Sequence, residues 1–182
     1  MGSHICPWWL SYTFDNPFRR FFHNPEKMFG SYVVKGMTVL DVGCGMGFFS
    51  IGLAKLVGDK CCVIATDVQP EMLNILKKRA EKAGCSDRIC IHKNELNNLG
   101  VETTVDFILA FWMVHEVSDT NKFFRQICSC LKSNGRILVA EPKLHVSLKR
   151  FQEILFSAQE SGLNLCETPC LSFSRSAVLK ND

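Results

Sequence analysis

A run of small residues between two apolar segments has the composition of a ligand-binding turn. Glycine occupies positions 43, 45 and 47, and Asp41 stands two residues before the first of them. Glycine reaches positive φ and lets a ligand approach the main chain, because it has no Cβ. Asp67 ends the next strand-like run, where a carboxylate can accept the two hydroxyls of a ribose. The spacing therefore predicts a site for a cofactor that contains adenosine.

The glycine spacing separates the two main adenosine cofactors. A dinucleotide fingerprint reads GxGxxG, whereas residues 43–47 read GxGxG and follow Asp41. A carboxylate at Asp41 would repel a pyrophosphate, but it suits the amino group and sulfonium of S-adenosylmethionine. We therefore expect S-adenosylmethionine as the cofactor and S-adenosylhomocysteine as its product. An NAD(P)-dependent oxidoreductase and a non-catalytic module that binds an adenosine cofactor are the alternatives.

Candidate catalytic residues follow the fourth and fifth strand-like runs. His115 comes after the fourth run, and Glu141 and His145 come after the fifth. Ligands of open α/β sheets bind beyond the carboxyl ends of the strands, so we expect these side chains to converge. His115 could take a proton from the acceptor, with Glu141 beside it. We expect Glu116 and His145 to be solvated or structural and expect no metal, with a His/Glu metal site as the alternative.

Strand-like and helix-like segments alternate from Thr38 onward. The strand-like runs span 38–41, 61–66, 88–92, 105–112, 136–140, 163–167 and 171–179. Helices are predicted to begin near Gly47, Pro70, Ser118 and Ser147. This alternation predicts a doubly wound, Rossmann-like, three-layer αβα fold with a mostly parallel seven-stranded sheet. Because only residues 168–170 separate the last two strands, these strands should form an antiparallel hairpin.

The first 35 residues differ from the rest by their many aromatic side chains. Asn16-Pro17 and Asn24-Pro25 both have the pattern of a helix start. We interpret residues 1–35 as a helical lid over the carboxyl edge of the sheet, and residues 36–182 as the cofactor-binding domain of a single-domain chain. Tyr12 is the expected polar contact of the lid with the substrate, and core packing or membrane-surface contact are the alternatives for this segment.

Residues 41–47, Asp-Val-Gly-Cys-Gly-Met-Gly, resemble motif I of class I S-adenosylmethionine-dependent methyltransferases. The resemblance is to the branch shared by ubiquinone-biosynthesis and other small-molecule methyltransferases, and it runs from about Thr38 to the carboxyl end. It implies in-line transfer of a methyl group to a small-molecule acceptor. It also implies that the backbone of Gly43, Cys44 and Gly45 lines the methionine part and that Asp67 binds the ribose.

The resemblance also implies which residues contact the adenine and which residue of the fourth strand contacts the cofactor. It implies that Val68 flanks the adenine and that Phe111 lies beside the methionine part. The family often has an aspartate after the third strand that binds the adenine amino group, but residues 93–95 here read Lys-Asn-Glu. Asn94 and Glu95 are therefore both candidates. No Asn/Asp-Pro-Pro-Tyr/Phe motif follows the fourth strand, which disfavours methylation of nucleic-acid bases.

The composition of the 182-residue chain is that of an ordinary globular protein, with a formal net charge of +3. So small a charge does not favour nucleic acid as a partner, and the apolar runs are too short for a membrane span. We find no secretory signal. Several of the ten cysteines lie in apolar runs, which favours free thiols in the cytoplasm. A thiol or metalloid acceptor and a homodimer are open alternatives.

Overall fold

The computed structural model describes residues 19–59 and 62–181, which form two compact units of residues 19–94 and 95–181. Tyr12 and the predicted helix start at Asn16-Pro17 lie outside the described residues. Seven strands form one sheet in the order β3-β2-β1-β4-β5-β7-β6, numbered along the chain. The predicted doubly wound fold, with helices flanking a mostly parallel sheet, is confirmed.

The first unit contains three parallel strands and the helices that connect them. Its elements in chain order are α1 (Arg19–Phe22), α2 (Pro25–Phe29), β1 (Val39–Val42), α3 (Phe48–Val57), β2 (Val63–Asp67), α4 (Pro70–Lys82), a 3-10 turn (Ser86–Arg88) and β3 (Ile89–Lys93). Val39 pairs with Val63 and Val63 with Ile89, both in parallel register. Parallel pairing requires a crossover between strands, which α3 and α4 provide.

The helix start predicted at Asn24-Pro25 is confirmed. The Asn24 side chain accepts hydrogen bonds from the backbone N–H of Glu26 and of Lys27 at 3.0 and 3.2 Å. Such a cap satisfies N–H groups that have no partner within the helix. Helix α2 packs tightly on α3, since a Cβ on Gly52 would lie 2.3 Å from the Cβ of Pro25.

The second unit contains the remaining four strands. Its elements are β4 (Val105–Phe111), a 3-10 turn (Val114–Glu116), α5 (Thr120–Cys130), β5 (Leu131–Pro142), α6 (Leu148–Glu160), β6 (Leu163–Glu167) and β7 (Ser174–Asn181). Strand β4 is parallel to β5, with Phe111 opposite Ala140. Strand β7 is antiparallel to both β5 and β6. The predicted closing hairpin is therefore confirmed.

Three predicted boundaries in this unit were wrong. Helix α5 is capped by Asp119, whose side chain accepts from Lys122 N at 2.8 Å, rather than by Ser118, and Ser118 instead donates to Asn97 Oδ1. Strand β5 begins at Leu131 rather than at residue 136. Strand β7 begins at Ser174 rather than at residue 171, because residues 171–174 form a turn closed by the bond from Ser174 N to Leu171 O.

Two further features of the described residues are the length of their helices and the state of their cysteines. No helix within 19–59 or 62–181 is long and apolar enough to cross a membrane. Cys85 and Cys130 are buried free thiols, and Cys90, which lies in one of the apolar runs, is a free thiol that is exposed.

Candidate cofactor site and candidate active site

The glycine-rich turn connects β1 to α3 by three residues with positive φ. Gly43, Gly45 and Gly47 have φ angles of 66°, 53° and 81°, a region that costs other L-residues about 1–2 kcal/mol. A Cβ on Gly47 would lie 2.0 Å from Cδ1 of Leu76. In contrast, a Cβ on Gly45 would meet nothing within 4 Å. Gly47 is therefore required for packing, whereas Gly45 faces open space in which a ligand can approach the backbone.

Three N–H groups of this turn are bonded within the protein. Cys44 N donates to Thr66 O at 2.9 Å, and Gly47 N donates to Cys44 O at 3.0 Å. Gly45 N donates to Oδ2 of Asp67 at 2.9 Å. A pyrophosphate is bound by such N–H groups, so few donors of this turn are available to bind one. Both the N–H and the carbonyl oxygen of Cys44 therefore form hydrogen bonds within the protein.

Asp41 is a buried carboxyl at the end of β1. Its side chain is 2% exposed and accepts a hydrogen bond from Ser50 Oγ at 2.6 Å. Burial, with a smaller contribution from the charge of Asp67, raises the pKa of Asp41 to about 7 despite the opposing effect of the Ser50 hydrogen bond. A cation bound beside Asp41 would favour the ionised carboxylate and reverse this shift.

Asp67 lies at the end of β2 and connects two loops. It accepts hydrogen bonds from Gly45 N on Oδ2 and from Gln69 N on Oδ1, both at 2.9 Å. Burial raises the pKa of Asp67, and the backbone hydrogen bonds partly offset this rise. Each carboxylate oxygen keeps a second lone pair for a hydroxyl donor, as a ribose-binding residue requires.

The two candidates for binding the adenine amino group differ in their exposure and in their contacts. Asn94 is half-buried and lies beside Asp67, because its N–H donates to Asp67 O at 3.3 Å. Glu95 is exposed and pairs with Asn98 in a backbone bridge. Val68, which directly follows Asp67, is half-buried. The geometry favours Asn94 over Glu95 as a neighbour of the ribose-binding position.

The second unit brings His115 and Glu141 into direct contact. Nδ1 of His115 is hydrogen-bonded to Oε2 of Glu141, while Oε1 of Glu141 accepts from the backbone N–H of Val114 at 2.8 Å. Burial lowers the pKa of His115, but the hydrogen bond and charge of Glu141 outweigh this effect, so the pKa lies above its ordinary 6.5. With Nδ1 facing the carboxylate, Nε2 is the ring nitrogen that can accept a proton.

Three further candidate residues lie in the same unit as His115 and Glu141. The ring of His145 lies edge-on to that of His115, with centroids 6.2 Å apart, and His145 is exposed. Glu116 Oε1 is 3.9 Å from Nε2 of His115. Phe111 is buried at the end of β4, 5.3 Å from the ring of Trp112. Among residues 19–59 and 62–181, no three His, Cys, Asp or Glu side chains form a group that could hold a metal ion.

Sequence reasoning missed two residues that affect Asp41, Ser50 and Arg19. Ser50 is the hydrogen-bond donor to Asp41. It lies three residues after Gly47, so the first turn of α3 places it above the end of β1, and this spacing was the available signal. Arg19 influences the charge state of Asp41, although 22 residues separate them in sequence and no local pattern connects them.

Comparisons with known proteins agree with this geometry. Residues 34–172 match the family described as a methyltransferase domain. The chain is 31% identical to a ribosomal protein L11 methyltransferase of Dictyoglomus turgidum over 141 residues, covering 78% of this chain and 43% of that protein. It is 30% identical over 132 residues to the ubiquinone/menaquinone biosynthesis C-methyltransferase UbiE of Francisella tularensis, covering 70% of this chain and 53% of that protein.

A solved structure also resembles the chain over nearly its full length. It is a SAM-dependent methyltransferase from Aquifex aeolicus, 26% identical, with a TM-score of 0.87 over 98% of this chain and all of the other. The chain therefore belongs to the methyltransferase domain family, with the class I S-adenosylmethionine-dependent fold. It spans about half the length of the curated relatives it matches.

Proposed function

We propose that this protein transfers the methyl group of S-adenosylmethionine to a small-molecule acceptor whose attacking atom carries a proton. The observation that carries the proposal is the pair of buried carboxyls, Asp41 and Asp67, beside a turn in which three N–H groups are already bonded. Such a turn suits a cationic ligand better than a pyrophosphate, which argues against the oxidoreductase alternative.

The residues of the first unit fit this cofactor. Asp41 would bind its ammonium group and Asp67 the ribose hydroxyls, while Gly45 leaves the space that the ligand needs at the backbone. Val68 would flank the adenine, and Asn94 would bind its amino group. When bound, the cofactor supplies a methyl group on a sulfonium that is already activated, so the protein mainly has to align the reactants and exclude water.

The residues of the second unit supply the proton acceptor. Glu141 orients the imidazole of His115 and leaves Nε2 to take a proton from a hydroxyl, amine or thiol as that group attacks. Phe111 would lie beside the methionine part of the cofactor. A metalloid site at Cys44 is disfavoured, because burial holds the pKa of this thiol well above its ordinary value and a metalloid needs the thiolate.

Three further parts of the proposal concern the chain as a whole. Residues 1–35 would cover the acceptor, with Tyr12 as a polar contact, and the protein would act in the cytoplasm. A homodimer is one possible assembly.

The specific alternative is a protein acceptor, which the 31% identity to a ribosomal protein L11 methyltransferase favours.

Two measurements test the proposal. Isothermal titration should show binding of S-adenosylmethionine and none of NADH; the reverse result would overturn the cofactor. Incubation with methyl-labelled S-adenosylmethionine should then label the small-molecule fraction of a metabolite extract. Label found only in the protein fraction would replace the small-molecule acceptor with a protein, and His115→Ala should abolish labelling while leaving cofactor binding intact.

A further inference from the structure

Arg19 lies over the first residues of helix α3. Its guanidinium carbon is 4.7 Å from the ring centroid of Phe48 and 4.9 Å from that of Phe49. These two residues begin the helix directly after Gly47. The stacking places a positive charge at the N-terminal end of α3, the helix that follows the glycine-rich turn, and Arg19 belongs to the same compact unit as that helix.

The first turn of α3 also connects Arg19 with Asp41. Ser50, in this turn, donates to the Asp41 carboxyl at 2.6 Å, and the charge of Arg19 lowers the pKa of Asp41. A buried acid and a half-buried guanidinium therefore lie within electrostatic reach of each other.

The amino-acid end of the proposed cofactor carries one group of each charge. Its ammonium group matches Asp41, but its carboxylate would be repelled by Asp41 and Asp67 unless a cation is nearby. The N–H groups of Cys44, Gly45 and Gly47 are already bonded and cannot compensate. A guanidinium fits a carboxylate well, since its planar fork can donate two parallel hydrogen bonds.

We propose that Arg19 binds the carboxylate of the cofactor's amino acid, while Asp41 binds the ammonium group of the same ligand. This inference rests on the proposed function, because it assumes the same cofactor. It gives the segment before β1 a part in cofactor recognition, and it predicts that the protein discriminates against ligands that lack the carboxylate. Arg20, the exposed neighbour of Arg19, provides a matched control.

The test compares two ligands that differ by a single group. S-adenosylhomocysteine carries the carboxylate, and decarboxylated S-adenosylhomocysteine keeps the ammonium group but lacks the carboxylate. Isothermal titration of both ligands into the wild type, Arg19→Ala and Arg20→Ala forms a thermodynamic cycle. Arg19→Ala should weaken S-adenosylhomocysteine roughly 10- to 100-fold and leave the decarboxylated ligand unchanged, as expected for loss of a charge-assisted hydrogen bond.

Each outcome of the cycle has a definite meaning. Unchanged affinity of Arg19→Ala for S-adenosylhomocysteine would overturn the inference, and so would an equal loss for both ligands, which would indicate a role in packing on Phe48 and Phe49. Arg19→Lys keeps the charge, so a partial recovery of affinity for S-adenosylhomocysteine alone supports the inference. If the wild type binds neither ligand, the proposed cofactor itself is wrong.

Discussion

The carboxylate of Glu141 accepts hydrogen bonds from both the backbone N–H and the ring Nδ1 of His115. Because Glu141 is fully buried and also accepts from Val114 N, it holds the histidine by its main chain and its side chain together. The pair therefore fixes the ring orientation and the tautomer, which a proton acceptor at Nε2 requires.

Replacing this carboxylate should change the pH dependence of methyl transfer. In Glu141→Gln, the hydrogen bond and charge that raise the pKa of His115 are lost or weakened, so this pKa should fall. The acidic limb of the profile of kcat/KM against pH should then move to lower pH, while kcat falls on the order of 10-fold or more because the ring is less well oriented. Glu116→Gln, which removes a more distant carboxylate, should move the limb less. A Glu141→Gln profile that matches the wild type would contradict the role of the pair.

Asp41 should make folding stability depend on pH. Its pKa is raised from 3.8 to about 7 in the folded protein. Its contribution to the free energy of unfolding is therefore fully present below pH 3.8 and is lost as the pH rises through about 7. Asp41→Asn should raise Tm relative to the wild type at about pH 8 but not at about pH 4, and it should weaken binding of the cofactor.

Thermal unfolding at the two pH values, followed by titration with S-adenosylhomocysteine, checks this prediction. Asp59→Asn is the control, because the Asp59 side chain is 91% exposed and its replacement should change neither quantity. A Tm difference between Asp41→Asn and the wild type that does not change with pH would show that Asp41 does not titrate in this way.

A comparison of alanine variants at Gly45 and Gly84 separates the effect of backbone strain on stability from the effect of an added Cβ on cofactor binding. Both have positive φ, and a Cβ on either would meet nothing within 4 Å. Each glycine-to-alanine substitution should therefore cost a similar amount of stability, roughly 1 kcal/mol. Only Gly45→Ala should also weaken cofactor binding, since its Cβ would enter the space assigned to the ligand. Equal affinities of the two variants in titrations would place the ligand elsewhere.

Asp67 should account for recognition of the ribose. Asp67→Ala is expected to weaken S-adenosylhomocysteine by about 1–3 kcal/mol, because buried hydroxyls would lose their acceptor. The variant also frees the N–H groups of Gly45 and Gln69, so a second ligand is needed to separate the two effects. The wild type should prefer S-adenosylhomocysteine over its 2′-deoxy analogue, and the variant should bind both alike. A preference that survives in Asp67→Ala would exclude the ribose role.

The sequence predicted those parts of the fold that follow from local pattern. The apolar strands, the turn at 43–47 and the closing hairpin depend on periodicity, glycine spacing and connection length, all of which are visible in the sequence. The cap of α5 was wrong because Ser118 and Asp119 are both good capping residues, and tertiary contacts of Ser118 with Asn97 decide between them. The start of β5 depends on pairing of Leu131 with Val105 across 26 residues, which no local pattern reports.

The candidate site was predictable to a similar extent. Asp41, Asp67, His115 and Glu141 stand at the ends of strands, and the rule that ligands bind beyond those ends was enough to select them. Ser50 and Arg19 act on Asp41 through the packing of α1 and α3, so only the three-dimensional structure associates them with the turn.

The position of β7 between β5 and β6 has a consequence for synthesis of the chain on the ribosome. Seven residues of β5, from Arg136 to Pro142, pair with β7, although β6 is made first. Until residues 174–181 emerge, β5 has an uncovered edge and β6 has no partner strand in this arrangement. The nascent protein must therefore pass through a state with exposed strand edges, which are prone to aggregation.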